Sequence, residues 1–96
     1  MNYKNNISLN IIFEEKPGGT TLTMQCSPEE KICELLKRYK NKVQRKYKMK
    51  FIRNGESLNE NLTVTQCGLK DGYKILAYDI CRIKGAGYWY MKEINI

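Results

Sequence analysis

A single helix-forming segment lies between two groups of alternating segments, and this arrangement limits the fold more than any other feature of the chain. Ser27 is a helix-capping residue, Pro28 suits a first helical turn, and Glu30 follows Ser27 at the spacing of a capping box. Apolar residues then recur at helical spacing. The pattern predicts one helix, capped by Ser27 and ending at about Lys42. Its apolar stripe consists of Ile32, Leu35, Leu36, Tyr39 and Val43.

Two alternating segments precede the helix. Residues 7–13 and residues 20–26 each carry an apolar side chain at every second position, as half-buried strands do. Between them, residues 14–19, EEKPGG, break the alternation and supply turn chemistry. The two segments therefore predict a hairpin. Its inward side chains are Leu9, Ile11, Phe13, Leu22, Met24 and Cys26.

Three further strands are predicted after the helix. Residues 47–53 alternate, the pair Asn54-Gly55 is a tight-turn signal, and a short strand follows over residues 56–58. An irregular stretch then leads to a last strand over residues 73–78. The resulting order, ββαβββ, indicates an α+β domain in which one helix packs on a mixed sheet.

The length and the hydropathy pattern predict one domain without a membrane span. Ninety-six residues suffice for one modest core, which we place in residues 1–80, with residues 81–96 as a C-terminal tail. No apolar run is long enough to cross a bilayer, and the first residues lack the apolar centre of a secretory signal. We therefore expect a cytoplasmic location, with organellar import by an uncleaved signal as an open alternative.

The cysteines do not form a recognisable metal motif. Cys26, Cys33, Cys67 and Cys81 contain no C-x-x-C pair, and the chain has no histidine. We therefore predict free, mostly buried thiols, no metal and no cofactor, with disulfides as the other interpretation. Because no serine or cysteine has an evident activating partner, catalysis is not expected.

Positive charge is concentrated in one part of the chain. The net charge is +7, and residues 37–50 contain eight Lys or Arg and no acid, whereas residues 1–30 contain four acids and two lysines. This asymmetry predicts a partner with an acidic surface. A nucleic-acid patch is the weaker alternative, because Tyr39 belongs to the apolar stripe and is not available to stack on bases. The predicted basic patch consists of Lys37, Arg38, Lys40, Lys42, Arg45 and Lys46.

The order of elements resembles the ubiquitin family. The closest similarity lies in residues 50–58, KFIRNGESL, which look like the third strand, glycine turn and fourth strand of that family. Residues 62–72, LTVTQCGLKDG, are similar to the segment that precedes its last strand. The resemblance covers residues 7–80 and implies the β-grasp fold.

In the ubiquitin family, most partners dock on an exposed apolar patch of the sheet. Ile52 falls at the matching position of the third strand, and pleat alternation puts Leu76 and Tyr78 on the same side of the sheet. With Lys50 and Lys74 at the rim, they have the composition of a protein-binding face. The alternative is that the chain's own C-terminal tail covers them.

The C-terminal tail departs from the family pattern. Ubiquitin and its conjugated relatives end in two glycines, whereas here Ala86 separates Gly85 from Gly87 and further residues follow. One interpretation is the precursor of a conjugated modifier, cut near these glycines. The other, which we favour, is a retained tail that docks on a neighbour, because aromatic residues dominate buried contacts. The predicted anchor consists of Tyr88, Trp89, Tyr90 and Met91.

These features together predict a non-enzymatic ubiquitin-like adaptor or structural subunit. It would bind other proteins in a large assembly with acidic surfaces, through the apolar patch, the basic patch and the aromatic tail. Glu56 and Asp71 stand where the family carries much-used chain-linking lysines, which argues against the alternative of a conjugated modifier.

Overall fold

The computed structural model describes residues 7–44 and 48–80 of the 96-residue chain. Its elements, in chain order, are β1 (Leu9–Lys16), β2 (Thr21–Cys26), α1 (Ile32–Val43), β3 (Met49–Arg53), β4 (Glu56–Ser57) and β5 (Lys74–Asp79). The strands form one mixed sheet in the order β2-β1-β5-β3-β4, in which only the central pair β1 and β5 is parallel. The predicted α+β β-grasp fold is confirmed. Within the described ranges, no helix is long and apolar enough to cross a membrane.

α1 packs on one face of the sheet through a continuous apolar core. Ile32, Leu35 and Tyr39 are buried on the helix. The ring of Tyr39 stacks on that of Phe13, with 4.2 Å between the ring centroids. Phe51 meets both rings edge-on, at 6.1 Å from Phe13 and 5.8 Å from Tyr39. Such pairs stabilise the core beyond the burial of apolar area, and the predicted apolar stripe is confirmed.

The helix begins later than the capping signature indicated. Lys31, not Ser27, is the N-cap residue, and its side chain makes no capping hydrogen bond. The Oγ of Ser27 instead accepts a hydrogen bond from the amide of Glu29 at 3.1 Å, within a turn that precedes the helix. The helix cannot start earlier because Lys31 forms an antiparallel bridge with Thr63 and has extended backbone angles. The predicted start is therefore wrong, whereas the observed end at Val43 agrees with the prediction.

β1 extends further than predicted, into the charged residues that we expected to form the turn. The amide of Glu15 still donates to the carbonyl of Thr20 at 2.8 Å, so pairing with β2 continues. The carboxylate of Glu14 lies 3.2 Å from the Nζ of Lys16 and 2.9 Å from the Nζ of Lys74. These ion pairs let charged side chains occupy the end of a strand.

Candidate protein-binding site

The face of the sheet opposite α1 carries the three apolar side chains that we expected to form an exposed patch. Ile52, Leu76 and Tyr78 do lie together, in one cluster with Ile80. However, only 6% of Ile52 and 8% of Tyr78 are exposed, and Leu76 is half-buried. The expected exposure of Ile52 and Tyr78 is therefore wrong, because pleat alternation determines the face of a side chain but not what packs over it. Ile80 was missed because it follows the predicted last strand.

The two lysines predicted at the rim of this cluster have different environments. Lys50 is half-buried on β3, opposite Tyr78 of β5. Lys74 is exposed, and its Nζ lies 2.9 Å from Glu14 Oε1. Hydrogen bonds from Lys74 and Lys16 hold the pKa of the Glu14 carboxyl below its ordinary value. The charge of Lys74 is therefore partly balanced within the sheet, which makes it a weak anchor for an acidic partner.

The described part of the predicted basic patch lies on α1. Lys37 and Lys42 are exposed, and Lys40 is partly buried. Arg38 points toward β2, where it bonds to groups of the same chain. Positive charges near the C-terminal end of a helix are favourable for the helix itself, because this end of the helix dipole is negative. Part of this charge therefore also stabilises α1. The remaining members of the patch, Arg45 and Lys46, lie outside the described residues.

β2 forms one edge of the sheet among the described residues. The pairs of an antiparallel ladder alternate between hydrogen-bonded and non-hydrogen-bonded ones. Because the amide of Glu15 donates to the carbonyl of Thr20, these two residues form a bonded pair, and every second pair along the register is bonded in turn. The backbone N–H and C=O groups of Thr21, Thr23 and Gln25 therefore point outward, away from β1.

A guanidinium group caps one end of this outer edge. Nη2 of Arg38 donates a hydrogen bond of 2.9 Å to the carbonyl of Gln25. The same side chain donates to Glu30, from Nε to Oε2 at 2.9 Å and from Nη2 to Oε1 at 2.7 Å. These bonds to Glu30 raise the pKa of Arg38 above its ordinary value. No residue of the described ranges bonds to the outward backbone groups of Thr21 and Thr23.

An open cleft of about 700 Å³ lies between β2 and the second half of α1. Buried Met24 contributes an apolar base, the edge of β2 contributes backbone donors and acceptors, and α1 contributes a basic wall. The lining residues are Thr23, Met24, Gln25, Arg38, Asn41 and Lys42. Sequence reasoning identified the basic residues but missed the cleft, because the position of β2 at the edge depends on the order of the strands in the sheet.

The sequence itself matches a family model described as ubiquitin-2 like Rad60 SUMO-like, over residues 9–78. The chain belongs to this ubiquitin-like family. The match includes β1, β2, α1 and the cleft between them. No curated protein sequence matches the chain.

Solved structures agree with this assignment at the level of the fold. The UBL domain of Plasmodium falciparum Dsk2 is 22% identical with a TM-score of 0.66, and the match covers 75% of this chain and 97% of that one. The ubiquitin of Caldiarchaeum subterraneum is 16% identical with a TM-score of 0.68, over 76% and 94%. A structure described as molecular mimicry of SUMO that promotes DNA repair is 18% identical with a TM-score of 0.65, over 73% and 89%.

The cysteines of this ubiquitin-like domain differ in exposure. Cys26 is a buried free thiol, and Cys33 and Cys67 are half-buried free thiols. Burial raises the pKa of the Cys26 thiol above its ordinary value. In residues 7–44 and 48–80 no group of side chains could hold a metal ion. Cys81 lies outside these ranges, so the count of four free thiols stays a prediction.

The tail of the domain lies outside the described residues. The docking interpretation and the processing interpretation of residues 81–96 therefore both stay predictions. The predicted aromatic anchor also lies outside the described residues; it consists of Tyr88, Trp89, Tyr90 and Met91.

Proposed function

We propose that this ubiquitin-like domain is a non-enzymatic adaptor or structural subunit that binds an extended, acidic segment of another protein between β2 and α1. The outer edge of β2 carries the proposal, because it presents the outward backbone groups of Thr21 and Thr23 and, from Thr23 onward, borders a cleft with an apolar base and a basic wall. In strand addition, backbone hydrogen bonds of such an edge provide affinity, and neighbouring side-chain pockets provide specificity.

The composition of β2 supports the addition of a strand. Proteins commonly protect exposed edges with charged residues, proline or bulges. The outward positions of β2 are instead Thr21, Thr23 and Gln25, all exposed and all uncharged. Threonine also favours extended backbone. Met24 at the base of the cleft adapts to differently shaped apolar side chains, because its side chain is unbranched and flexible.

Charge supports an acidic partner. Lys42 lines the cleft and Lys37 is exposed on the same helix, in a chain with a net charge of +7. Glu30, the acid that pairs with Arg38, offsets one positive charge only. Acidic side chains on the bound segment would therefore meet lysines that have no ion-pair partner among the described residues, which increases the rate of association and suppresses basic competitors.

Two other surfaces are less suited to binding. The cluster of Ile52 and Tyr78 is largely covered, so the apolar patch that we first expected offers mainly Leu76. Nucleic acid is also disfavoured at the basic wall, because no aromatic side chain of residues 7–44 and 48–80 lines the cleft and Tyr39 is buried. An extended protein segment would use the backbone groups of β2, the apolar base of the cleft and the lysines of α1 together.

The proposal is tested with a synthetic peptide of alternating valine and threonine, flanked by glutamates, titrated against the full chain. We expect Lys42→Glu to weaken binding about three- to tenfold, because one attractive contact becomes repulsive at the wall of the cleft. The matched control is Lys70→Glu, which reverses an exposed charge in the loop before β5 and should leave the affinity unchanged.

Three outcomes would contradict the proposal. Equal weakening by Lys42→Glu and Lys70→Glu would mean that the peptide responds only to net charge. Equal affinity for a peptide with glutamines in place of glutamates would remove the acidic requirement. No measurable binding of either peptide to the unmodified chain would remove the site.

A further inference from the structure

The outward backbone groups of β2 are not equivalent, because Arg38 occupies one of them. Along the outer edge, Thr21 and Thr23 have no hydrogen-bonding partner among the described residues, whereas the carbonyl of Gln25 accepts the Nη2 of Arg38 at 2.9 Å. A strand added to this edge would need both the N–H and the C=O of Gln25 for its next bonded pair, and the C=O already accepts a hydrogen bond from Arg38. The guanidinium group therefore stands where pairing beyond Thr23 would continue.

The guanidinium group is held at this position by a second contact. Glu30 accepts hydrogen bonds from Nε and Nη2 of Arg38, and its side chain is only 17% exposed. Two charge-assisted bonds with the planar geometry of a guanidinium orient the group far better than a single flexible surface pair. Glu30, in the turn before α1, therefore holds Arg38 in place while Arg38 bonds to the end of β2.

We infer that Arg38 is a specificity-determining residue, which makes the bound segment pair with Thr21 and Thr23 and stop before Gln25. This inference rests on the proposed function. A fixed end point matters because a slip of one residue would turn every side chain of the segment to its other face. With the end point set by Arg38, the same side chain of the segment lies over Met24 in every complex.

The experiment uses three synthetic peptides of the alternating, glutamate-flanked design. The first peptide is just long enough to pair with Thr21 and Thr23. The second carries two additional neutral residues at its N-terminus, and the third carries them at its C-terminus. One of these extensions therefore faces Gln25 whichever direction the added strand takes. Their affinities and the hydrogen exchange of the Thr21, Thr23 and Gln25 amides are measured with the unmodified chain and with Arg38→Gln. The control Lys70→Gln removes the same charge from an exposed residue in the loop before β5, away from the cleft.

With the unmodified chain and with Lys70→Gln, we expect the peptides to protect the amides of Thr21 and Thr23 but not that of Gln25, and neither extension to increase affinity. With Arg38→Gln, the extension that faces Gln25 should protect its amide and increase affinity about three- to tenfold, the value of one additional hydrogen bond. The double variant Glu30→Gln/Arg38→Gln should behave in the same way. The double variant replaces Arg38→Gln in the experiment if the unpaired carboxylate of Glu30 prevents the single variant from folding.

Protection of Gln25 by the longer peptide in the unmodified chain would overturn the inference and leave the proposed function intact. Equal affinities of Arg38→Gln for the shorter peptide and for both longer peptides would also overturn the inference and leave the proposed function intact. If no peptide protects Thr21 or Thr23 in any variant, the proposed site itself fails, and the role of Arg38 fails with it.

Discussion

At the scale of single residues, Leu35 and Tyr39 connect the helix to the sheet. Leu35 is 0% exposed and Tyr39 is 1% exposed, and both face a core that contains Phe13 and Phe51. Closely packed cores have few voids, so a truncated side chain leaves a cavity that its neighbours fill only in part. The position of α1, and with it one wall of the cleft, therefore depends on these contacts.

Leu35→Ala should lower the free energy of unfolding by about 2–5 kcal/mol, because the lost transfer energy and the new cavity both destabilise the fold. The measurement is chemical denaturation of the full chain. Ile7→Ala is the control, since Ile7 is 56% exposed, and its effect should stay within about 0.5 kcal/mol. Similar losses in the two variants would show that Leu35 does not hold α1 on the sheet.

Periodicity alone predicted the buried positions of α1, including Leu35 and Tyr39. It failed for Ser27, because a serine followed by proline and glutamates suits a turn as well as a helix start, and the bridge of Lys31 with Thr63 decides between them. The pairing of Arg38 with Glu30 could not be predicted either. It joins residues that are neighbours only because a turn precedes the helix.

At the scale of the elements, the parallel pairing of β1 with β5 connects the hairpin to the rest of the sheet. Glu14 on β1 bonds to Lys74 on β5 and to Lys16 on its own strand. These contacts hold the pKa of Glu14 below its ordinary value. A carboxyl with a lower pKa in the folded state stabilises the fold at pH values above its unfolded pKa, about 4.3, and loses this contribution as the pH falls through its folded pKa.

Replacing Glu14 by glutamine should therefore lower the Tm at neutral pH but not in strong acid. We expect the gap in Tm between the unmodified chain and Glu14→Gln to close as the pH falls below about 4, because both then lack the carboxylate. Thermal unfolding across the pH range measures it, with Glu29→Gln as an exposed control. A gap that persists undiminished in strong acid would contradict the assigned role of Glu14.

Local sequence patterns predicted the helix and each strand, but not which strands lie side by side in the sheet. The hairpin signal implies that β1 pairs with β2, yet nothing in residues 20–26 indicates that β5 takes the other side of β1 and leaves β2 at the edge. The cleft between Met24 and Lys42 follows from that order, so the candidate site could not be located from the pattern alone. The basic residues of α1 can be listed from the sequence, but they could not be assigned to a cleft.

At the scale of the whole molecule, the chain has a net charge of +7. Within residues 7–44 and 48–80, the apolar cluster of Ile52 and Tyr78 is covered, whereas the outward backbone groups of Thr21 and Thr23 at the edge of the sheet have no partner. The covered cluster of Ile52 and Tyr78 contributes to stability, because burial of apolar area is the main favourable term in folding. The edge at Thr21 and Thr23 contributes hydrogen-bonding groups that a partner can use. Binding at the cleft beside α1 is therefore the central claim.

The most direct test of this claim is the affinity of the full chain for two versions of the glutamate-flanked peptide, N-methylated at alternate amides. In a strand added to β2, every second amide of the peptide donates to the edge and the others face away from it. We predict that methylation of one alternate set abolishes binding and that methylation of the other set leaves the affinity nearly unchanged. If both sets are tolerated, or both abolish binding, the segment is not added to β2 as a strand.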